Sequence, residues 1–265
     1  VSVFRSLGGI SLTTFDQDDG GVKGFASAPY VFFSVTLSDG QTFHHQDLDG
    51  YSVFCLMAES GAAVQIEGAD KQLLVKGSAV IENGLSVKAV GGSAELLVAG
   101  STRATKRLSS VNLTPAGDHY KVVKPWGHEL WLNGEDPDFC FKEVCITAGN
   151  RTSLQYHNLK RETNLLVGGI ADIVYKLRDE AALDDVTEND LASERVYPLA
   201  VLDVKPHTLH RIIAVSDVML YEVSTPHLDD VIRVQDDTAR THGRIEVEHL
   251  DGVGSVVRHS GTGTG

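Results

Sequence analysis

The sequence predicts an all-β protein built as two β units in tandem, and three observations lead there. Short runs rich in Val, Phe, Leu and Ile recur along the chain, separated by turn signals such as DG, ESG, ENG and GG, the rhythm of a sandwich or barrel. A polar passage at 100–119, GSTRATKRLSSVNLTPAGDH, has little reason to pack and breaks that rhythm once. At 265 residues the chain is long enough for two modest cores that need no disulfides. The expected division is 1–108 and 109–265.

In the first unit, strands are expected at 30–37, 51–57, 63–66, 72–75, 85–89 and 94–99. In the second they are expected at 138–147, 153–156, 162–167, 171–177, 194–204, 207–213 and 218–223. Between two of these lies LRDEAALDDVTENDLASER, whose density of charge favours an exposed excursion with a short helix. After Pro226 the segment HLDDVIRVQDDTARTHGR reads as helical or extended, and its polarity places it at the surface or on a pocket rim. The closing GVGSVVRHSGTGTG is a tail too rich in glycine to order cheaply.

Composition narrows the function. A formal net charge of −13 disfavours nonspecific capture of nucleic acid or anionic membrane, both of which need a basic face. A small anionic substrate stays compatible, because a pocket can be locally basic within an acidic protein. No stretch approaches the roughly 18–20 apolar residues that span a bilayer. Cys55, Cys140 and Cys145 follow no metal spacing and read as reduced thiols. The opening VSVFRSLGGI lacks the basic start and long apolar centre of a secretion signal, so a cytoplasmic location is expected.

The stretch that carries chemistry is GNRTSLQYHNLKRETNLLVGG, 149–169. Alternate residues of an extended segment share a face, so Gln155 and His157 project together while Tyr156 points away. After a turn, Glu162 begins the next strand and can return beside them. A distant β-rich run, VKPHTLHRI, supplies His210, with His207 placed at the rim. Gln155, His157, Glu162 and His210 together offer a mixed oxygen and nitrogen set for a borderline divalent metal, with coordination positions left open. Taken singly, each histidine is more often structural; the shared face and the returning glutamate favour the metal reading.

Four segments, KPWGHELWL, AGNRTSLQYHNLKRE, VKPHTLHRI and EVSTPHLDDVIRVQDDTAR, resemble the cupin domain of the type II mannose-6-phosphate isomerases, often fused to mannose-1-phosphate guanylyltransferases. The resemblance covers about 120–241. In that family a PWG segment precedes a Q-x-H pair, a glutamate five residues past the histidine, and a late histidine. Those roles fall here on Gln155, His157, Glu162 and His210, and the later arginine on Arg233, with Asp236 and Arg240 closing the run. The chain departs from the pattern at Leu159 and Lys160, where a histidine and an arginine are common, and at Thr238 and Ala239, where YG is usual. These neighbours handle the sugar, so the departures bear on substrate more than on metal.

The resemblance implies a tandem cupin, or bicupin, of two jelly-roll (double-stranded β-helix) domains. The first, 1–108, reads as a degenerate cupin expected to hold no metal; its 43–63 stretch looks like a decayed copy of the metal hairpin, and His44 and His45 face opposite ways. The second, 109–265, would hold one divalent ion, Zn2+ first, with Mn2+, Co2+, Fe2+ or Ni2+ as options. The implied activity is that of a metal-dependent aldose–ketose isomerase acting on a sugar or sugar phosphate. Arg233 is the candidate contact for an anion or enediolate, Lys124 and Lys160 are candidates for a phosphate, and Glu129 for a base or a partner to a basic group. Trp126 reads as a pocket wall or a barrel plug. The alternatives are a noncatalytic sugar-binding bicupin and a metal-dependent cupin dioxygenase or lyase, since one scaffold serves many reactions. A homodimer is compatible with the need to cover strand edges.

Overall fold

The computed structural model describes residues 5–7, 10–14, 22–25, 30–45, 50–82, 84–101, 111–134, 136–176 and 186–250. The glycine-rich tail and most of the charged excursion lie outside them. In chain order the first strands are β1 (Arg5–Leu7), β2 (Ile10–Thr14), β3 (Val22–Phe25), β4 (Tyr30–Leu37), β5 (Thr42–His45) and β6 (Gly50–Ala58). There follow β7 (Ala63–Ile66), β8 (Ser78–Glu82), β9 (Leu85–Val90), β10 (Ala94–Ser101) and β11 (Asn112–Thr114). The second half contributes β12 (Tyr120–Lys124), β13 (Gly127–Asn133), β14 (Cys140–Ile146), β15 (Leu154–Tyr156), β16 (Glu162–Gly168) and β17 (Ala171–Lys176). It closes with β18 (Leu191–Val196), β19 (Ala200–Val204), β20 (His210–Ala214), β21 (Val218–Ser224), β22 (Ile232–Gln235) and a short helix α1 (Glu246–Leu250).

These strands form four antiparallel sheets, two per unit. The first unit pairs a six-stranded sheet, β11-β8-β6-β10-β4-β3, with a three-stranded one, β5-β9-β7. The second pairs an eight-stranded sheet, β1-β2-β19-β16-β21-β14-β13-β12, with a five-stranded one, β18-β17-β20-β15-β22. Two strands cross the expected 108/109 division: β2 pairs with β19 of the second unit, and β11 pairs with β8 of the first.

Three apolar layers explain why so many strands read as continuous hydrophobic runs rather than alternating ones. Phe33, Val35 and Leu37 of β4 face the core of the first unit with Val53, Leu96 and Val98. Tyr30 and Phe32, on the other face of the same strand, join Phe54, Leu97, Phe141, Val201 and Tyr221 in a middle layer. Val144, Leu166, Leu202 and Leu220 belong to the third layer, the core of the second unit, where Trp126 also sits. The two large sheets therefore pack face to face, and both faces of each are covered. Trp126, 7% exposed, closes the apolar floor of the second barrel while its edge reaches the pocket, so both readings of that residue apply.

Several expected elements are corrected. The 72–75 run is no strand: only Leu73 bridges, to Val64, while Leu74 and Val75 are exposed. The chain turns there through Lys76, at φ 63, whose N–H donates to the Cys55 carbonyl while the Cys55 N–H donates to the Gly77 carbonyl. The single strand expected at 194–204 is two, β18 and β19, because Pro198 has no N–H for a ladder and Leu199 turns at φ 75. The strand expected from 207 begins only at His210, since His207 is itself in a left-handed turn at φ 61. The segment after Pro226 is extended at β22 and helical only at α1.

A candidate metal centre in the second barrel

Strand register builds the centre. The pairs Gln155↔His210 and Gln155↔Arg233 place His210, Gln155 and Arg233 in one row across β20, β15 and β22. His157 follows at the end of β15, and Glu162 opens β16 after the turn. On the facing sheet, the pairs Asn164↔Glu222, Lys142↔Glu222 and Trp131↔Lys142 set a second row across β16, β21, β14 and β13. The pocket lies between these rows.

His157, Glu162 and His210 bring their donor atoms within 4.8 Å of one another, all three residues buried. His210 Nε2 is 3.2 Å from Glu162 Oε1, and His157 Nε2 is 3.5 Å from Oε2. The opposite ring nitrogens are committed: His157 Nδ1 donates to the Asp230 carbonyl, and His210 Nδ1 donates to the Thr208 carbonyl at 3.0 Å. Those bonds fix the proton on Nδ1 and turn both Nε2 lone pairs toward the carboxylate. His157 Nε2 is left buried without a hydrogen-bond partner. Two lone pairs and a carboxylate facing one another without a proton between them is the donor arrangement that a divalent cation satisfies. The residues present therefore fit the ion that the sequence expects.

Asp230 holds the turn that makes this convergence. Its carboxylate accepts the backbone N–H groups of Asn158, Leu159 and Lys160 at 3.0, 2.5 and 2.9 Å, and its carbonyl takes His157 Nδ1. These bonds outweigh the effect of partial burial and hold its carboxyl below the ordinary value. The His207 N–H donates to the His157 carbonyl at 2.6 Å, so His207 acts through its backbone while its side chain is exposed. The acidic residues near 230–237 pair with cations: Asp229 with Arg244, Asp236 with Arg240, and Asp237 with Arg151.

Lys160 is the cation closest to the triad. Its Nζ lies 2.5 Å from Glu162 Oε2 and 2.8 Å from Glu222 Oε1. Burial opposes its charge, but the two carboxylates prevail and raise its pKa, so it stays an ammonium. Burial likewise opposes the Glu162 carboxylate, and the Lys160 ammonium holds it well below the usual carboxyl range.

The other expected site residues line the same pocket. Gln155 has its Oε1 accepting from the Ser153 hydroxyl at 2.6 Å. Glu129 is gripped by Lys142 at 3.3 Å, Lys124 at 3.8 Å and the Trp131 Nε1–H at 3.0 Å. Burial would raise its pKa; Lys142, Lys124 and Trp131 outweigh that and lower it to about 2. Lys124 also meets Glu248 of α1 at 2.8 Å. Arg233 donates from one terminal nitrogen to the Thr241 and Gly243 carbonyls, and its Nε–H is buried without a partner.

Residues that the sequence did not single out complete the walls. Lys142 sits 4.7 Å over the Trp131 ring, and Glu222 spaces Lys142 from Lys160. His249 of α1 contacts Tyr120 and Trp131 at the mouth. Strand alternation on β14 and β21 is the one signal that could have found Lys142 and Glu222; nothing local marks His249, and Asp230 reads only as one of the acidic group Asp229, Asp230, Asp236 and Asp237, solvated or paired, whereas it caps a turn. The lining carries Lys124, Lys142, Lys160, Arg233, Arg240 and Arg244 against Glu129, Glu162 and Glu222, a basic pocket in an acidic chain.

No protein-family model matches the chain, and no curated protein matches it in sequence. Its architecture matches solved structures at high coverage and low identity. Oxalate decarboxylase from Lactobacillus farciminis aligns with TM-score 0.58 and 12% identity, covering 88% of this chain and 86% of that one. Ylba from E. coli aligns with TM-score 0.59 and 11% identity, covering 84% and 93%. AerE from Microcystis aeruginosa gives 0.57 and 11%, covering 85% and 97%. With two antiparallel barrels in tandem, these likenesses give the chain the cupin fold in its bicupin form.

Proposed function

We propose that this chain is a metal-dependent enzyme acting on a small, oxygen-rich anion, and that its reaction develops negative charge on a substrate oxygen. The observation that carries the reading is the orphaned Nε2 of buried His157 facing Glu162 and His210. A divalent ion held by these three residues would supply Lewis-acid polarisation of a carbonyl or carboxylate oxygen. Mn(II) is the metal of the oxalate decarboxylase from Bacillus subtilis, another architectural match at TM-score 0.58 and 9% identity, covering 88% of this chain and 77% of that one, and the donor set here suits Mn2+ or Fe2+ as well as Zn2+.

The chain's own residues supply the rest. Lys142 and Lys160 stay protonated and present ammonium groups toward developing charge. The Arg233 Nε–H is a donor held ready by the carbonyl contacts that fix its guanidinium. Lys124, Arg240 and Arg244 also line the cavity, paired with Glu248, Asp236 and Asp229. Trp126 and Trp131 wall the cavity and limit water.

Carbon–carbon cleavage, the lyase alternative, is the form that the site supports best. Three donors leave room for a substrate to chelate through two oxygens, and the Gln155 oxygen already accepts from the Ser153 hydroxyl at 2.6 Å. Such a cleavage needs charge stabilisation more than a base. A second reading, aldose–ketose isomerisation of a sugar phosphate, is favoured by His249. Burial, with Lys124 and Arg244 nearby, lowers its pKa, so the imidazole is neutral near pH 7. Tyr120 donates its proton to the His249 carbonyl at 2.9 Å, so its oxygen accepts from Nδ1–H at 3.2 Å and Nε2 is left as a base.

The test reconstitutes chelator-stripped protein with Mn2+, Fe2+ or Zn2+ and assays 2-oxo and 2-hydroxy carboxylates beside sugar phosphates. Cleavage that depends on the added ion supports the lyase form; solvent deuterium entering carbon at C1 or C2, lost in H249A, supports the isomerase form. Protein that retains no ion and turns over neither panel overturns the proposal, and ion-dependent oxygen uptake moves it to a dioxygenase.

A further inference from the structure

The sheet that forms one wall of the pocket carries a different set of donors on its other face. Lys142 and Val144 of β14 point into the pocket, so Glu143 and Cys145 point out. The pairing His128↔Cys145 sets a β13 imidazole beside the thiol. That approach relies on Gly127, at φ 151, where a Cβ would stand 2.0 Å from the Cys145 carbonyl oxygen. The ligand atoms of His128, Glu143 and Cys145 all lie within 4.8 Å of one another.

Glu143 is positioned from behind. The Tyr221 hydroxyl, from the paired position on β21, donates to Oε2 at 2.5 Å. The Cys145 thiol donates to Oε1 at 3.8 Å. Lys76, 44% exposed at its side chain, donates to the same Tyr221 hydroxyl at 3.3 Å and approaches Glu143 Oε2 only to 4.0 Å. A simple hydrogen-bonded cluster would account for Glu143 and Cys145. It leaves the half-buried His128 imidazole with no hydrogen-bond partner among the described residues.

We infer that His128, Glu143 and Cys145 form a second metal site, on the outer face of the barrel, for a borderline-soft divalent ion of the Zn2+ type. One nitrogen, one oxygen and one sulfur donor select against Mg2+, Ca2+ and Mn2+ and leave a fourth tetrahedral position for water. A thiol binds such an ion as its thiolate, so the Cys145 proton leaves when the ion binds. The balance is one divalent ion in and one thiol proton out to solvent, after which thiolate and carboxylate together neutralise the ion. Seated between β13 and β14 and beside Tyr221 of the middle layer, the ion would pin the sheet where the two units meet.

Cobalt(II) is the probe, because a thiolate bound to it absorbs in the near ultraviolet and the His157, Glu162 and His210 centre contains no sulfur. Full-length protein, stripped of metal and held reduced with a phosphine, is titrated with Co2+. The charge-transfer band is expected in the wild type and in H157A/H210A, lost in C145S, and shifted to at least tenfold higher cobalt in H128A. A wild-type protein saturated with Co2+ that shows no such band overturns the site, and so does a band that survives in C145S or is unmoved in H128A. Either failure leaves the interior centre untouched, since that centre is read from total bound metal in the C145S protein.

Discussion

His157 Nε2 and Glu162 Oε2 stand 3.5 Å apart with no aligned hydrogen bond between them, while the far nitrogen of the same ring is tied to the Asp230 carbonyl. A buried lone pair facing a buried carboxylate is costly unless something positive lies between. Metal-stripped protein is therefore expected to gain about 4 kcal/mol on addition of Mn2+ at a thousandfold excess over its dissociation constant. H157A and H210A should each lose that increment. Thermal unfolding with and without Mn2+ checks this, and an unchanged increment in either variant removes that histidine from the centre.

Asp230 acts from seventy-odd residues away by accepting three successive backbone N–H groups of the β15–β16 turn. D230A strands those donors and loosens the carbonyl that fixes the His157 tautomer. A stability loss of about 1–3 kcal/mol is expected, with metal affinity weaker by roughly 10- to 100-fold. Denaturant titration and calorimetric metal binding read the two effects separately. Normal metal affinity in D230A would show that the turn holds its shape without the carboxylate.

Lys160 neutralises both Glu162 and Glu222 at 2.5 and 2.8 Å. Removing one partner of a buried charge cluster costs about 3–5 kcal/mol, because the remaining charge stays unsolvated. K160M should show that loss in the stripped protein and recover part of it with Mn2+, since the ion compensates Glu162 but leaves Glu222 exposed to the deficit. A loss of equal size with and without ion would mean that Lys160 and the metal do not share Glu162.

The triad was legible in the sequence because it uses local rules: period-two alternation around His157, a glutamate at the next strand start, and a histidine in a β-rich run. What surrounds it was not. Lys142 and Glu222 meet through the pairing of β14 with β21, across eighty residues of chain. Arg233 and Lys124 could be flagged by type and neighbourhood, but their partners at Gly243 and Glu248 belong to a terminal segment whose polarity reads only as surface. The false strand at 72–75 shares its composition with true ones. Its exposed Leu74 and Val75 show that the left-handed turn at Lys76, closed by the Gly77 N–H on the Leu74 carbonyl at 3.0 Å, overrides propensity. Alternation puts Gln155 on the pocket face, whereas the hydrogen bond its oxygen accepts from Ser153, two residues earlier on that face, carries no sequence signal.

Glu129 gives the fold a specific acid sensitivity. Lys142, Lys124 and Trp131 overcome the effect of burial and lower its pKa from 4.5 to about 2. Between those values the unfolded chain binds a proton that the folded one refuses, so stability rises with pH across the window. The contribution is complete above about pH 4.5 and disappears as pH falls toward 2. E129Q removes it, and also leaves Lys142 and Lys124 facing each other across a neutral amide, so the variant should be less stable at pH 7. Its stability should also fall less steeply than that of the wild type between pH 4.5 and 2. Glu162 titrates low in both proteins, so the difference between the two curves isolates Glu129. Urea unfolding at half-unit steps of pH measures it; parallel curves would show that Glu129 is held no more tightly in the folded chain than in the unfolded one.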